Sequence, residues 1–215
     1  MPRALLCDLD GTLVDSRQDL AAAVNLLLAE LSLPSLPMDR VLAHVGRGAR
    51  ALIRRCLEEV EADIPPDDPR LRRFLHHYER VLLDHTVAFP GVERGLEALS
   101  RQGVKLAVVT NKPIAPARLV LAGLNLHRWF PVVLGGDSLA TRKPEPEMLL
   151  TAAEALGVAP ADCTMLGDSD VDIDAARAAG MPALWCSWGG IHADRPAEAE
   201  VEVRSFDEVV ARFSP

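Results

Sequence analysis

The sequence lacks a long hydrophobic run, a basic excess and any closely spaced pair of cysteines. No apolar stretch approaches the roughly 20 residues of a membrane span, and the short one at the N-terminus is too short for a signal peptide. The four cysteines lie far apart and form no CxxC pattern, which is typical of buried thiols in a reducing compartment. These absences predict a cytoplasmic protein with no membrane partner.

The charge balance is acidic, with a formal net charge of −8. A general nucleic-acid binder would present a basic face, so we expect no nucleic-acid partner. The negative net charge does not exclude an anionic small substrate, because the charge of a pocket can differ from that of the whole chain. With 49% hydrophobic residues, the 215-residue chain can bury a core as one large domain or as one domain with a smaller satellite.

Three zones with different patterns of apolar residues follow one another along the chain. An apolar strand spans residues 3–8, helical periodicity runs through residues 16–86, and short apolar strands then alternate with helices to the end. Such alternation indicates a parallel sheet covered on both faces. The sequence therefore predicts an α/β fold, with a Rossmann-like core domain formed by residues 1–14 and 87–215. An inserted α-helical cap domain, residues 15–86, would cover the end of the sheet from which it emerges.

Further predictions concern individual elements. Ser16 and Asp19 have the spacing of a capping box at the start of the first cap helix. After the cap, helices are predicted at residues 92–102, 114–122, 145–156, 170–179 and 205–213. The strands between and after them are predicted at residues 105–110, 132–135, 164–167, 183–187 and 201–203.

Polar residues follow four of the predicted strands, at the sheet edge where α/β proteins bind ligands. Mg²⁺ prefers carboxylate oxygens together with phosphate and water, and a carboxylate can also attack phosphorus. Hydroxyl, amide and ammonium groups can contact phosphoryl oxygens. The residues in question are Asp8, Asp10, Thr12, Thr110, Asn111, Lys112, Asp137, Ser138, Lys143, Asp168, Ser169, Asp170 and Asp172.

The acidic residues also have a purely structural interpretation. Aspartate is common in turns at strand ends, so Asp8 and Asp10 could shape the exit from the first strand. Asp168 and Asp172 could cap the helix that follows them. The convergence of four such segments on one sheet edge favours phosphoryl transfer.

Four segments, DLDGTLVDS, VVTNK, RKPEP and GDSDVDI, carry a family resemblance. In this order and spacing they resemble the four motifs of the haloacid-dehalogenase-like superfamily of phosphohydrolases. The resemblance extends over essentially the whole chain, including a helical cap inserted after the first motif. It implies a Mg²⁺-dependent phosphatase that acts on a small phosphorylated metabolite through an aspartyl-phosphate.

The resemblance also implies catalytic roles. Asp8 matches the nucleophile, and Asp10 matches the general acid that protonates the leaving alkoxide and then activates water. Thr110 would hold the phosphoryl group, and Lys143 would neutralise Asp8 and the phosphoryl oxygens. The dehalogenases lack an acid that matches Asp10, because a halide leaves without a proton whereas an alkoxide needs one.

The implied metal site uses carboxylates from two strand ends. Mg²⁺ would be bound by Asp8, the backbone carbonyl of Asp10, and Asp168. Asp172 would support this metal site, and Asn111 would support the catalytic residues as a further donor to phosphoryl oxygens.

The N-terminal half is similar to the phosphoglycolate phosphatases, through DLAAAVNLLLAELSLP and VGRGARALIRRCL. This likeness implies hydrolysis of 2-phosphoglycolate to glycolate and phosphate. The second segment contains Gly46, Arg47 and Gly48, which we expect to bind substrate, with Arg47 reaching a substrate carboxylate. The two glycines could instead merely shape a turn between helices.

Other functions are compatible with the same motifs. Phosphatases of sugar phosphates, such as N-acetylmuramate 6-phosphate, carry similar loops, and a phosphomutase also forms an aspartyl-phosphate. A phospho-aspartate receiver clusters similar residues but needs no lid, and a pure binding module has no use for a paired nucleophile and acid. The oligomeric state stays open between monomer and homodimer.

Overall fold

A parallel six-stranded sheet forms the centre of the computed structural model, which describes residues 3–60, 69–189, 191, 196–199 and 201–214. Every neighbouring pair of strands in this sheet runs parallel. The predicted α/β fold with a Rossmann-like sheet is confirmed. The strands, in spatial order, are β5 (Val132–Leu134), β4 (Lys105–Val109), β1 (Ala4–Cys7), β6 (Cys163–Gly167), β7 (Ala183–Cys186) and β8 (Glu202–Val203).

The central strand β1 is buried on both faces. Leu5 and Cys7 pack into one hydrophobic cluster, whereas Ala4 and Leu6 pack into another. Successive side chains of a strand point to opposite faces, so a strand between two helical layers must be apolar throughout. The two layers are formed by α5 (Val92–Arg101), α6 (Ile114–Gly123), α7 (Glu147–Leu156), α8 (Asp170–Ala178) and α9 (Phe206–Ala211).

A helical insertion follows β1 and returns to the sheet through a short antiparallel ribbon. The ribbon pairs β2 (Val14–Asp15) with β3 (Val87–Ala88) and was not predicted from the sequence. The division into core and cap at residues 15 and 86 stays a prediction, and parts of both predicted domains lie outside the described residues. The helices between β2 and β3 are α1 (Arg17–Glu30), α2 (Met38–Leu42), α3 (Ala49–Glu59) and α4 (Arg70–Val81).

The predicted capping box at Ser16 and Asp19 is wrong. The Ser16 hydroxyl donates to Asp10 Oδ1 at 2.6 Å instead of capping α1. Asp19 is fully buried and accepts hydrogen bonds from the backbone N–H groups of His85 and Thr86 and from the Thr86 hydroxyl. Asp19 therefore joins the two chain crossings between core and insertion, whereas Ser16 holds Asp10 within the first crossing. These contacts take the place of the local cap.

The structure can be compared with the sequence for the cysteines and for membrane-spanning segments. All four cysteines are free and buried, as their spacing indicated. Within the part of the chain that the structure describes, no helix combines the length and apolar character that crossing a membrane requires.

Candidate active site

Three neighbouring strands deliver polar side chains to one edge of the sheet. Asp8 follows β1, Thr110 follows β4 and Asp168 follows β6, and β1 lies between the other two strands. All three side chains are buried. The carboxyl ends of parallel strands share one edge, and this geometry brings together residues that are far apart in the sequence.

Lys143 forms ion pairs with two carboxylates at this edge of the sheet, below a cavity. Its Nζ lies 2.8 Å from Asp8 Oδ1 and 2.6 Å from Asp172 Oδ1. Asp172 also accepts hydrogen bonds from the backbone N–H and hydroxyl of Ser169, so it both orders the start of α8 and holds Lys143. Burial alone would lower the pKa of Lys143, but the charges of Asp172 and Asp8 outweigh it and raise the pKa.

Two carboxyl groups of this cluster, those of Asp8 and Asp168, have raised pKa values. Burial raises the pKa of Asp8 to about 6; Lys143 opposes this rise, whereas Asp172 and Asp10 add to it. Burial also raises the pKa of Asp168 well above its ordinary value, and the neighbouring Asp172 and Asp8 raise it further. The cluster has three carboxyl groups and one ammonium group, so its carboxylates outnumber the positive charge that could balance them.

A divalent cation would balance the excess of carboxylates in this cluster. Carboxylate oxygens of Asp8, Asp168 and Asp172 lie within 4.8 Å of one another. Asp168 Oδ2 is buried and has no hydrogen-bond partner among the described residues. A buried carboxylate oxygen without a partner is costly, and a hard cation would satisfy it.

Asp10 is not a member of this three-carboxylate cluster and has its own partners. Its Oδ1 accepts the hydrogen bond from Ser16, and both its oxygens lie 2.9 Å from Lys112 Nζ. Lys112 is buried and also donates to the hydroxyl of Tyr78 on α4. The side chain of Asp10 therefore lies apart from the three clustered carboxylates, and its predicted metal contact through the backbone carbonyl stays a prediction.

Gly11 allows the tight turn between the two aspartates. Its φ is +83°, and a Cβ at this position would lie 2.2 Å from Asp168 Oδ2. Only glycine tolerates both this backbone conformation and this close approach.

Two tryptophans hold the backbone of the site loops. The indole N–H of Trp185 donates to the Asp168 carbonyl at 2.9 Å, and that of Trp188 donates to the Thr12 carbonyl at 3.0 Å. A buried indole needs an acceptor, and these carbonyls provide it. The tryptophans therefore fix the positions of loops whose side chains form the site.

A cavity lies between the polar floor and the helical insertion. Asn111 closes one side of it, because its amide nitrogen donates to the carbonyls of Gly46 and Lys143, both at 2.9 Å. Gly46 and Gly48 line the cavity with their backbone. The floor also includes Asp8, Asp10, Thr110, Lys112, Asp168 and Ser169.

Arg47 pairs with the core beside the cavity. Its guanidinium lies 3.1 Å from Asp170 Oδ2 at the start of α8, and its side chain is half exposed and absent from the cavity lining. The loop thus faces the cavity with its glycines, whereas the arginine links the insertion to the core. The predicted contact between Arg47 and a substrate carboxylate stays a prediction.

Sequence reasoning missed four residues around Asp10 and the site loops. Lys112 was recognised only as one of the polar residues after the second strand, and no role was assigned to it. Tyr78, Trp185 and Trp188 carry no local pattern that distinguishes them from core aromatics. The one usable signal was the position of Lys112 within VVTNK, directly after a buried strand.

Comparison with known proteins agrees with this geometry. The model of the family "Haloacid dehalogenase-like hydrolase" matches residues 5–186. A plasmid-encoded phosphoglycolate phosphatase of Cupriavidus necator is 42% identical over 215 residues, which cover 99% of this chain and 93% of that protein.

Solved structures show the same likeness. The crystal structure of a predicted phosphoglycolate phosphatase from Haemophilus somnus superposes with a TM-score of 0.92 at 30% identity, covering 99% of this chain and 98% of the other. CbbY from Rhodobacter sphaeroides, solved in complex with phosphate, has a TM-score of 0.82 at 25% identity over 97% of this chain and 96% of its own. The predicted family and phosphatase class are confirmed: the chain belongs to the haloacid dehalogenase-like hydrolase family.

Proposed function

We propose that this hydrolase is a Mg²⁺-dependent phosphomonoesterase that converts 2-phosphoglycolate to glycolate and phosphate through an aspartyl-phosphate. The observation that carries the proposal is the pairing of buried Asp8 with Lys143 beside a second carboxylate, Asp10, that also lines the cavity. The relative from Cupriavidus necator, named a phosphoglycolate phosphatase, supports the choice of substrate.

Asp8 and Asp10 would divide the chemistry between them. A carboxylate oxygen of Asp8 attacks phosphorus, and the bond from phosphorus to the ester oxygen of the substrate breaks. Asp10 gives its proton to that departing oxygen. In the second half-reaction, Asp10 takes a proton from water, whose oxygen attacks the phosphorus and releases Asp8.

The remaining polar groups would stabilise charge. The Lys143 ammonium and the Thr110 hydroxyl donate to phosphoryl oxygens as negative charge builds up on them. Asp8, the Asp10 carbonyl and Asp168 would hold Mg²⁺, with Asp172 in support, and the ion would supply positive charge against the phosphoryl group. The helical insertion would exclude bulk water above the cavity.

A substrate panel tests this proposal. Phosphate release should be measured with Mg²⁺ for 2-phosphoglycolate, N-acetylmuramate 6-phosphate and several sugar phosphates. We expect 2-phosphoglycolate to have the highest kcat/KM by at least about tenfold, and EDTA to abolish turnover. A preference for a sugar phosphate, full activity in EDTA, or an isomerised product in place of phosphate would contradict it.

The raised pKa of Asp8 predicts a pH-dependent stability of the metal-free protein. The folded protein holds this proton up to a pH of about 6, whereas the unfolded chain releases it near pH ~4. The free energy of unfolding therefore falls as the pH rises through this window and stays low above it.

Thermal unfolding in EDTA of the wild type and of Asp8→Asn checks this prediction. As the pH rises from about 4.5 to 7, the Tm of Asp8→Asn minus the Tm of the wild type should increase by several degrees. Mg²⁺ at pH 7 should raise the Tm of the wild type more than that of the variant. A Tm difference that stays constant with pH would contradict the predicted shift.

A further inference from the structure

One cation lines the cavity among the residues that the structure describes there, and it is Lys112. The chain has only three lysines, and the other one at the site, Lys143, is engaged with Asp8 and Asp172 on the floor. The cavity lining also has apolar members, which include Leu20, Leu52 and Phe74. Any anionic group of a substrate other than its phosphate therefore has one cation near it, and that cation is paired with Asp10.

Lys112 does not act alone at this position. Its ammonium donates to the hydroxyl oxygen of Tyr78, and both side chains are almost fully buried. Because that oxygen accepts from the ammonium, the hydroxyl proton is left to donate to another group. Burial raises the pKa of Tyr78 to about 12, although Lys112 opposes the rise, so the hydroxyl keeps its proton at neutral pH.

The distance from the reacting oxygen limits the substrate to a small one. A general acid must come within roughly 3 Å of the oxygen that it protonates, so the ester oxygen would lie beside the Asp10 carboxyl group. Lys112 Nζ lies 2.9 Å from that same carboxyl group. An anion attached one carbon away from the ester oxygen would then be within reach of Lys112, whereas an anion at the far end of a longer substrate would not.

We propose that Lys112 and Tyr78 form the subsite for a substrate carboxylate, so that the substrate class is a short 2-phosphooxy carboxylate. This inference rests on the proposed function and replaces the predicted carboxylate contact of Arg47. A carboxylate that enters a buried site needs a paired cation and a second donor, and these two side chains provide both. Tyr78 lies on α4 of the insertion and Lys112 follows β4 of the core, so the subsite is complete only when the two parts are in contact.

Two matched substrates separate this role from an effect on Asp10. 2-Phosphoglycolate carries the carboxylate, and 2-hydroxyethyl phosphate carries a hydroxymethyl group in its place. For Lys112→Met, kcat/KM on 2-phosphoglycolate should fall about 30-fold more than kcat/KM on 2-hydroxyethyl phosphate, with the difference chiefly in KM. For Tyr78→Phe, which keeps the ring and its packing, the loss on 2-phosphoglycolate should exceed the loss on 2-hydroxyethyl phosphate about tenfold.

Arg47→Met serves as the comparison variant and should leave the ratio of the two substrates unchanged. Equal losses on both substrates through kcat would overturn the proposal, because they would mean that Lys112 acts only by positioning Asp10. An unchanged ratio in Tyr78→Phe and Lys112→Met, or a reduced ratio in Arg47→Met, would also overturn it. If the wild type hydrolyses neither substrate, the proposed function itself fails.

Discussion

Replacing Asp8 by Asn should lower kcat on every phosphomonoester by at least about 10³-fold, because an amide oxygen cannot take over as the nucleophile. The protein should remain folded, because Asn removes a buried carboxyl group whose ionised form is disfavoured at this position. Steady-state phosphate release and thermal unfolding, measured on the same preparation, check both halves of the prediction.

Asp15→Asn is the matched control for this substitution. Asp15 belongs to the same segment, DLDGTLVDS, but forms a partly exposed ion pair with Arg17 and lies outside the cavity lining. Exposed ion pairs contribute little to stability, so this variant should keep wild-type turnover and a Tm within a few degrees of wild type. Appreciable turnover by Asp8→Asn would contradict the nucleophilic role.

Replacing Asp10 by Asn should have an effect that depends on the leaving group. With 2-phosphoglycolate, the alkoxide needs a proton, so kcat should fall by about 10²–10⁴-fold. With p-nitrophenyl phosphate, the phenolate leaves without that help, but water still needs a base to attack the phosphoenzyme. The variant should therefore release one p-nitrophenolate per active site in a burst and then turn over slowly.

Rapid-mixing absorbance at the p-nitrophenolate band measures this burst. Asp15→Asn again provides the control, and it should show the same time course as the wild type. A linear time course for Asp10→Asn from the first turnover onward, or an equal loss in the rate of phosphoenzyme formation on both substrates, would contradict a separate acid and base role for Asp10.

Much of the site follows from the sequence because it depends on parallel strands. Asp8, Thr110 and Asp168 each follow an apolar strand directly, and parallel strands must bring their carboxyl ends to one edge. The helical periodicity through residues 16–86 likewise predicts where the insertion lies. These features depend on local pattern and on a general rule of sheet architecture.

The contacts of Asp10 could not be predicted, because they depend on how the insertion packs against the core. Tyr78 looks like any other member of an amphipathic helix, and only the docking of α4 places its hydroxyl on Lys112. Ser16 and Asp19 satisfy a local capping pattern, yet tertiary partners take both side chains. Arg47 shows the same limit, since the loop was predicted but the direction of its side chain was not.

The most direct test of the proposed aspartyl-phosphate is to find which residue carries the phosphoryl group during turnover. Asp10→Asn should be mixed with p-nitrophenyl phosphate and Mg²⁺, quenched in acid after the burst, digested with pepsin and sequenced by mass spectrometry. We expect one added phosphoryl group on the peptide that contains Asp8, located on that residue and absent from Asp8→Asn treated in the same way. A phosphoryl group on any other residue, or unmodified peptide despite a full burst, would contradict it.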